Sequence, residues 1–112
     1  MQETISIKKN YEFKRLYGRG KNGVCPTLAM YAREKKYGPK RLGITVSTKI
    51  GKAVVRNKVR RRIKEAYRLN EDKFKEHIDL VIVARVRTVH GSFAQIEKAV
   101  LKLAEELNLL KG

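Results

Sequence analysis

The sequence predicts an α+β two-layer sandwich, with elements in the order α-β-β-β-α-β-α. Its sheet is expected to be mostly antiparallel with one β-α-β crossover. Three observations point there. Two apolar stretches, TLAMYAR and RLGITVS, flank a turn containing Gly38-Pro39. A long amphipathic basic segment follows them. A continuous apolar run, DLVIVAR, then separates that segment from a last helical stripe. The chain has 112 residues, one domain over 1–112, long enough to bury a core without disulfides or metal.

In KKNYEFKRLYGRG, Asn10 is placed to cap a helix, and Glu12 suits its first turn. Phe13, Leu16 and Tyr17 then share a face, and Gly18 and Gly20 end the helix. A short edge strand is weakly signalled at 21–25. Residues 27–33 and 41–47 read as strands, and the turn between them predicts an antiparallel hairpin. Residues 79–85 lack polar alternation, as expected of a central strand buried on both faces. It would lie parallel to 41–47, with the basic helix as the crossover. In the last segment, Ser92 and Gln95 form a capping-box pattern. Phe93, Ile96, Val100, Leu103 and Leu107 make its apolar stripe.

The basic segment, 49–69, holds nine Lys or Arg and one acid, Glu65. On a helical wheel of 52–69, Val55, Val59, Ile63, Ala66 and Tyr67 form the core stripe. Arg56, Arg60 and Lys64 run along one edge of it at four-residue steps, with Asn57, Arg61 and Arg68 just beyond. Only Lys58 and Arg62 point elsewhere. A solvated face normally mixes signs, because like charges at helical spacing repel. A nearly acid-free face needs a polyanion to offset that repulsion. Guanidinium forks match phosphate oxygens, and Asn57 adds a group that both donates and accepts. Ser47, Thr48, Lys49 and Lys52 surround Gly51 at a tight helix entry where a phosphate can approach backbone.

Composition agrees. The formal charge is +16 and the isoelectric point is near 10.3. Nucleic acid is the first partner to expect and an acidic membrane surface the second. Cys25 is the only cysteine, which fits a reducing compartment. With no transmembrane run and no apolar signal core in MQETISIKKN, the expected location is cytoplasmic.

The block RLGITVSTKIGKAVVRNKVRRRIKEAY, 41–67, closely resembles the signature of the bacterial ribonuclease P protein subunit. Arg56, Asn57, Arg60 and Arg61 meet its Arg-Asn core. Gly43, Thr45, Val46, Ser47, Lys49, Gly51, Ala53 and Val54 meet the pattern before it. KKNYEFKRLYGRGK resembles the family's first helix and DLVIVAR its last strand, so the resemblance spans nearly the whole chain. The sequence departs at Lys58, where the family commonly has Arg, and at Ser6, where many members carry a basic residue.

The resemblance implies a fold like the second domain of ribosomal protein S5. It also implies a non-catalytic subunit of an endoribonuclease that removes the 5′ leader of precursor tRNA. A catalytic RNA performs that hydrolysis with Mg2+, and the protein itself binds no cofactor. Implied partners are the ribonuclease P RNA and the precursor tRNA leader, with no membrane and no protein partner. Implied contacts to the catalytic RNA are Lys49, Lys52, Arg56, Asn57, Arg60, Arg61, Lys64 and Arg68. The implied leader cleft holds Phe13, Tyr17, Tyr31 and Ser47. The residues independently suit such a role, since aromatic platforms beside cations bind single-stranded RNA.

Two other readings share the charge. One is a ribosomal or other structural RNA-binding protein. The other is a helix-turn-helix DNA binder, disfavoured because the basic helix lacks a partner helix just before it. His77 and His90 are isolated and read as surface or capping residues. Cys25 reads as an ordinary buried thiol. Glu71, Asp72, Glu76 and Asp79 form a loose acidic group that balances charge or caps elements.

Overall fold

A computed structural model describes residues 4–112. Its strands are β1 (Thr4–Ser6), β2 (Lys21–Val24), β3 (Leu28–Glu34), β4 (Lys40–Thr45) and β5 (Ile78–Ala84). Its α-helices are α1 (Asn10–Arg19), α2 (Ala53–Leu69) and α3 (Phe93–Glu106). The strands form one sheet in the order β1-β4-β5-β3-β2.

β5 occupies the middle as its sequence predicts, parallel to β4 (Ile44↔Ile82) and antiparallel to β3 (Tyr31↔Val81). The predicted crossover through α2 is therefore present. The predicted hairpin between β3 and β4 is not, because β5 lies between them. The short turn favours direct pairing, but β5 has apolar side chains on both faces and takes the position where both are covered. β1 has no counterpart in the sequence reading; it is three residues long and lies parallel to β4 at the sheet edge. The sheet is thus evenly mixed rather than mostly antiparallel.

The helices cover both faces rather than one. On one face Leu28, Met30, Leu42, Ile78, Leu80 and Ile82 meet Val59, Ile63 and Tyr67 of α2 and Ile96, Val100 and Leu103 of α3. The Ser92–Gln95 capping box of α3 forms as read. On the other face α1 covers a smaller cluster: Ile7, Leu16 and Val81, with Phe13, Tyr31 and Val83 packed against it. Asn10 is the first helical residue rather than the cap, and α1 runs through Gly18 to Arg19. The residue that closes it, Gly20, approaches β3 so closely that a Cβ would lie 2.3 Å from the Ala32 carbonyl oxygen.

The acids after α2 do not gather. Glu71 is buried and accepts from Thr4 Oγ1. Asp79 is buried on the α1 face of β5, where Arg41 (2.9 Å), Lys35 (2.8 Å) and Arg33 (3.2 Å) surround it. Arg41 also pairs with Glu12, which ties α1 to β4. Burial pushes the Asp79 carboxyl up, but hydrogen bonds from Arg41 and Lys35 outweigh it and hold the pKa at about 2, below the ordinary 3.8.

A depressed carboxylate stabilises the fold above its unfolded pKa and loses that contribution as pH falls through its folded value. For Asp79 the contribution is about 2 kcal/mol. Denaturant unfolding across acid pH should show the wild type losing about that much more stability than Asp79→Asn between about pH 5 and pH 2. Equal acid slopes for the two proteins would remove Asp79 from this role.

Candidate nucleic-acid interface

Three rings meet on the α1 face of the sheet. Phe13 is half-buried over β4, and a Cβ on Gly43 would lie 2.6 Å from its ring. Only glycine at 43 lets the ring sit there unmoved. One turn further along α1, Tyr17 is 40% exposed and stands edge-on to Tyr31 of β3, with centroids 4.7 Å apart. The Tyr17 hydroxyl lies 3.4 Å from Thr45 Oγ1 at the end of β4. Phe13 and Tyr31 thus belong partly to the small core, while Tyr17 presents a ring to solvent.

Beyond β4 the surface becomes cationic. A groove of about 160 Å³ is lined by Ser6, Ile7, Leu42, Gly43, Ile44, Arg60 and Lys64. Gly43 therefore contributes both to the seat of Phe13 and to the wall facing Arg60 and Lys64. β1 pairs only with Lys40–Leu42, so this groove lies where the β4 edge is no longer covered.

At the carboxyl ends of β4 and β5 an open cavity of about 810 Å³ is lined by Ser47, Lys49, Ile50, Arg85, Val86 and Arg87, among others. Ser47 starts the 3-10 turn Thr48–Ile50, and its hydroxyl accepts from the Lys49 backbone N–H at 3.1 Å. Gly51 then adopts φ 152°, a conformation suited to glycine, and delivers the chain to Lys52 and α2. Lys52 makes no side-chain cap, and the first turn of α2 carries no acid. The amino end of α2 is thus open and electropositive.

Along α2 the predicted site residues separate. Arg56 is half-buried, and its Nε is enclosed without a hydrogen-bond partner among the described residues. Asn57 Oδ1 accepts from Arg60 Nη1 at 3.2 Å, which orients that guanidinium. Arg61 parts from Arg60 and Lys64: it borders a depression on the other flank with Lys58, Arg62, Glu65 and Phe93. There Arg62 also donates to the Gly91 carbonyl at 3.3 Å. Arg68 is engaged by Glu65 (Nε–Oε1 3.0 Å), and the pairing lowers the Glu65 pKa and raises that of Arg68. The helix therefore carries cations around its whole exposed arc rather than on one face.

Sequence reading missed Arg85 and Arg87, exposed beside Ser47 and Lys49. The available signal was an Arg-x-Arg directly after the central strand, at the strand ends where ligand crevices form in sheets with parallel strands. His77 Nδ1 lies 2.7 Å from the Gly38 carbonyl, as a turn-holding surface residue. Cys25 is half-buried against the larger core. Among the described residues no helix is long and apolar enough to cross a membrane.

Comparison with known proteins gives a consistent result. The Ribonuclease P family model matches residues 1–108. The chain is 39% identical to the ribonuclease P protein component of Alkaliphilus oremlandii, covering 100% of this chain and 98% of that one. It is 44% identical to that of Clostridium botulinum, covering 92% and 94%. The Staphylococcus aureus RNase P protein structure superposes with a TM-score of 0.85 at 29% identity, covering 95% of this chain and 97% of that one. The Thermotoga maritima RNase P protein, at 24% identity and a TM-score of 0.82 over 96% and 98%, shares the fold. The chain belongs to the ribonuclease P protein component family, the protein subunit of the endoribonuclease holoenzyme that acts in tRNA processing.

Proposed function

We propose that this subunit holds two RNA elements at once. The cationic surface of Lys49, Lys52, Arg56, Asn57, Arg60, Arg61 and Lys64 binds the ribonuclease P RNA, with Arg68 contributing only after it parts from Glu65. The rings of Phe13, Tyr17 and Tyr31, with Ser47 at the strand end, receive the single-stranded 5′ leader of precursor tRNA. Arg85 and Arg87 extend the same track. The observation that carries this reading is Gly43, flanked by the seat of Phe13 on one side and by Arg60 and Lys64 on the other. A strand lying on the rings would have its phosphates within the field of α2.

The chemistry in this reading belongs to the RNA and the Mg2+ it binds. A protein nuclease needs a placed general base and transition-state stabilisers, often with clustered carboxylates. Here Asp79 is held by three cations, Glu12 by Arg41 and Glu65 by Arg68. The surplus cations position phosphates and do not activate water. The work belongs to the cytoplasm, where precursor tRNA is made.

Two outcomes test the assignment. In holoenzyme reconstituted with ribonuclease P RNA, Tyr17→Ala should cost about 1–3 kcal/mol in affinity for precursor tRNA and leave mature tRNA unaffected. Equal losses for both substrates would return the rings to a purely structural role. Arg60→Ala should weaken binding to the RNA and lower the log-log salt slope by about 0.7–0.9, the share of one neutralised phosphate. An unchanged affinity and slope would take Arg60 out of the interface.

A further inference from the structure

α1 carries a third ring, which the cleft does not use. Tyr11 is 57% exposed and belongs to neither hydrophobic cluster. Its neighbours are cations: Lys9 Nζ lies 5.8 Å from the ring centroid and the Arg15 guanidinium 6.0 Å. Tyr17, Lys14 and Tyr11 follow one another at three-residue steps, and such a row forms a diagonal ridge across a helix. The ridge starts at the cleft, where Tyr17 meets Tyr31, and ends at Tyr11, about 9 Å back along the helix axis.

Two further features match. The only acid of α1, Glu12, is turned onto Arg41, so Lys14 and Arg15 are exposed with no acid of their own helix beside them. Gly18 lies one turn from Lys14, and a Cβ there would meet nothing within 4 Å. Packing does not require that glycine, although a glycine inside a helix costs about 1 kcal/mol relative to alanine. It leaves the backbone bare beside the ridge.

We propose that this ridge is an outer segment of the leader track. Single-stranded RNA leaving the cleft past Tyr17 crosses α1 over Lys14 and stacks a base on Tyr11, with Lys9 and Arg15 facing its phosphates. Lys9 and Arg15 lie 5.8 and 6.0 Å from the ring centroid, which places both charges close to the phosphates of a base stacked there. The occupant is the distal leader of precursor tRNA, because the ridge is continuous with the ring at the cleft rim. The inference rests on the leader-cleft reading above.

The test uses holoenzyme reconstituted with ribonuclease P RNA. Binding is measured for mature tRNA and for precursor tRNAs carrying unstructured leaders of increasing length. Wild-type affinity should rise with the first leader nucleotides and rise again as the leader reaches past the cleft. Tyr11→Ala should match wild type on mature tRNA and short leaders, and lose about five-fold or more on long ones. Tyr11→Phe should keep the second gain. If Tyr11→Ala equals wild type at every leader length, the outer segment does not exist. If it weakens mature tRNA equally, the ring touches another RNA surface and the proposal fails while the cleft reading stands. If wild-type affinity ignores the leader altogether, the cleft reading falls first.

Discussion

β5 determines where every other element can go. Its run of apolar residues tolerates water on neither face, so it takes the middle of the sheet. Parallel pairing with β4 requires a crossover, and α2 supplies it, lying along the face where Ile78, Leu80 and Ile82 meet Val59 and Ile63. Antiparallel pairing with β3 sets Tyr31 opposite Val81 on the other face, under α1. The basic helix and the ring cluster are thus held on opposite sides of one thin layer. They communicate around the β4 edge, where β1 stops short.

That arrangement explains why Gly43 and Asp79 matter although neither is offered to RNA. Gly43 has no side chain because Phe13 occupies the space of its Cβ. Asp79 gathers Arg33, Lys35 and Arg41 at the other end of the same face, and Arg41 in turn holds Glu12 of α1. In a chain of charge +16, one buried carboxylate that neutralises part of a three-cation cluster lets three strands converge. It pairs with cations away from α2, so Arg60 and Lys64 keep their charge for a polyanion.

Much of this is legible in the sequence, for reasons that differ by element. α2 and α3 are readable to within a residue at their starts because their apolar stripes are long and Ser92 with Gln95 forms a real capping box. β5 is readable because a both-faced apolar run has few alternatives. The pairing of β3 with β4 misleads because a short turn is a local signal, whereas insertion of β5 is a tertiary preference that overrides it. β1 is invisible: three residues carry no periodicity. Within the site, a wheel locates Arg56, Arg60 and Lys64 correctly beside the core. It cannot show that Arg61 turns to the flank shared with Phe93, or that Glu65 engages Arg68. Those facts depend on where the neighbouring helix and the side-chain rotamers lie.

In the proposed division of labour the protein supplies placement and charge while the RNA supplies chemistry. Phosphates of two RNAs brought together repel, and a cationic surface between them does part of the screening that Mg2+ would otherwise do. The most direct measurement is cleavage of precursor tRNA at low Mg2+ with the ribonuclease P RNA alone, the protein alone, and both together. The expected result is no cleavage by protein alone, little by RNA alone, and efficient leader removal by the two combined. Magnesium-dependent cleavage by RNA-free protein, abolished by changing one of its own acids or histidines, would contradict it.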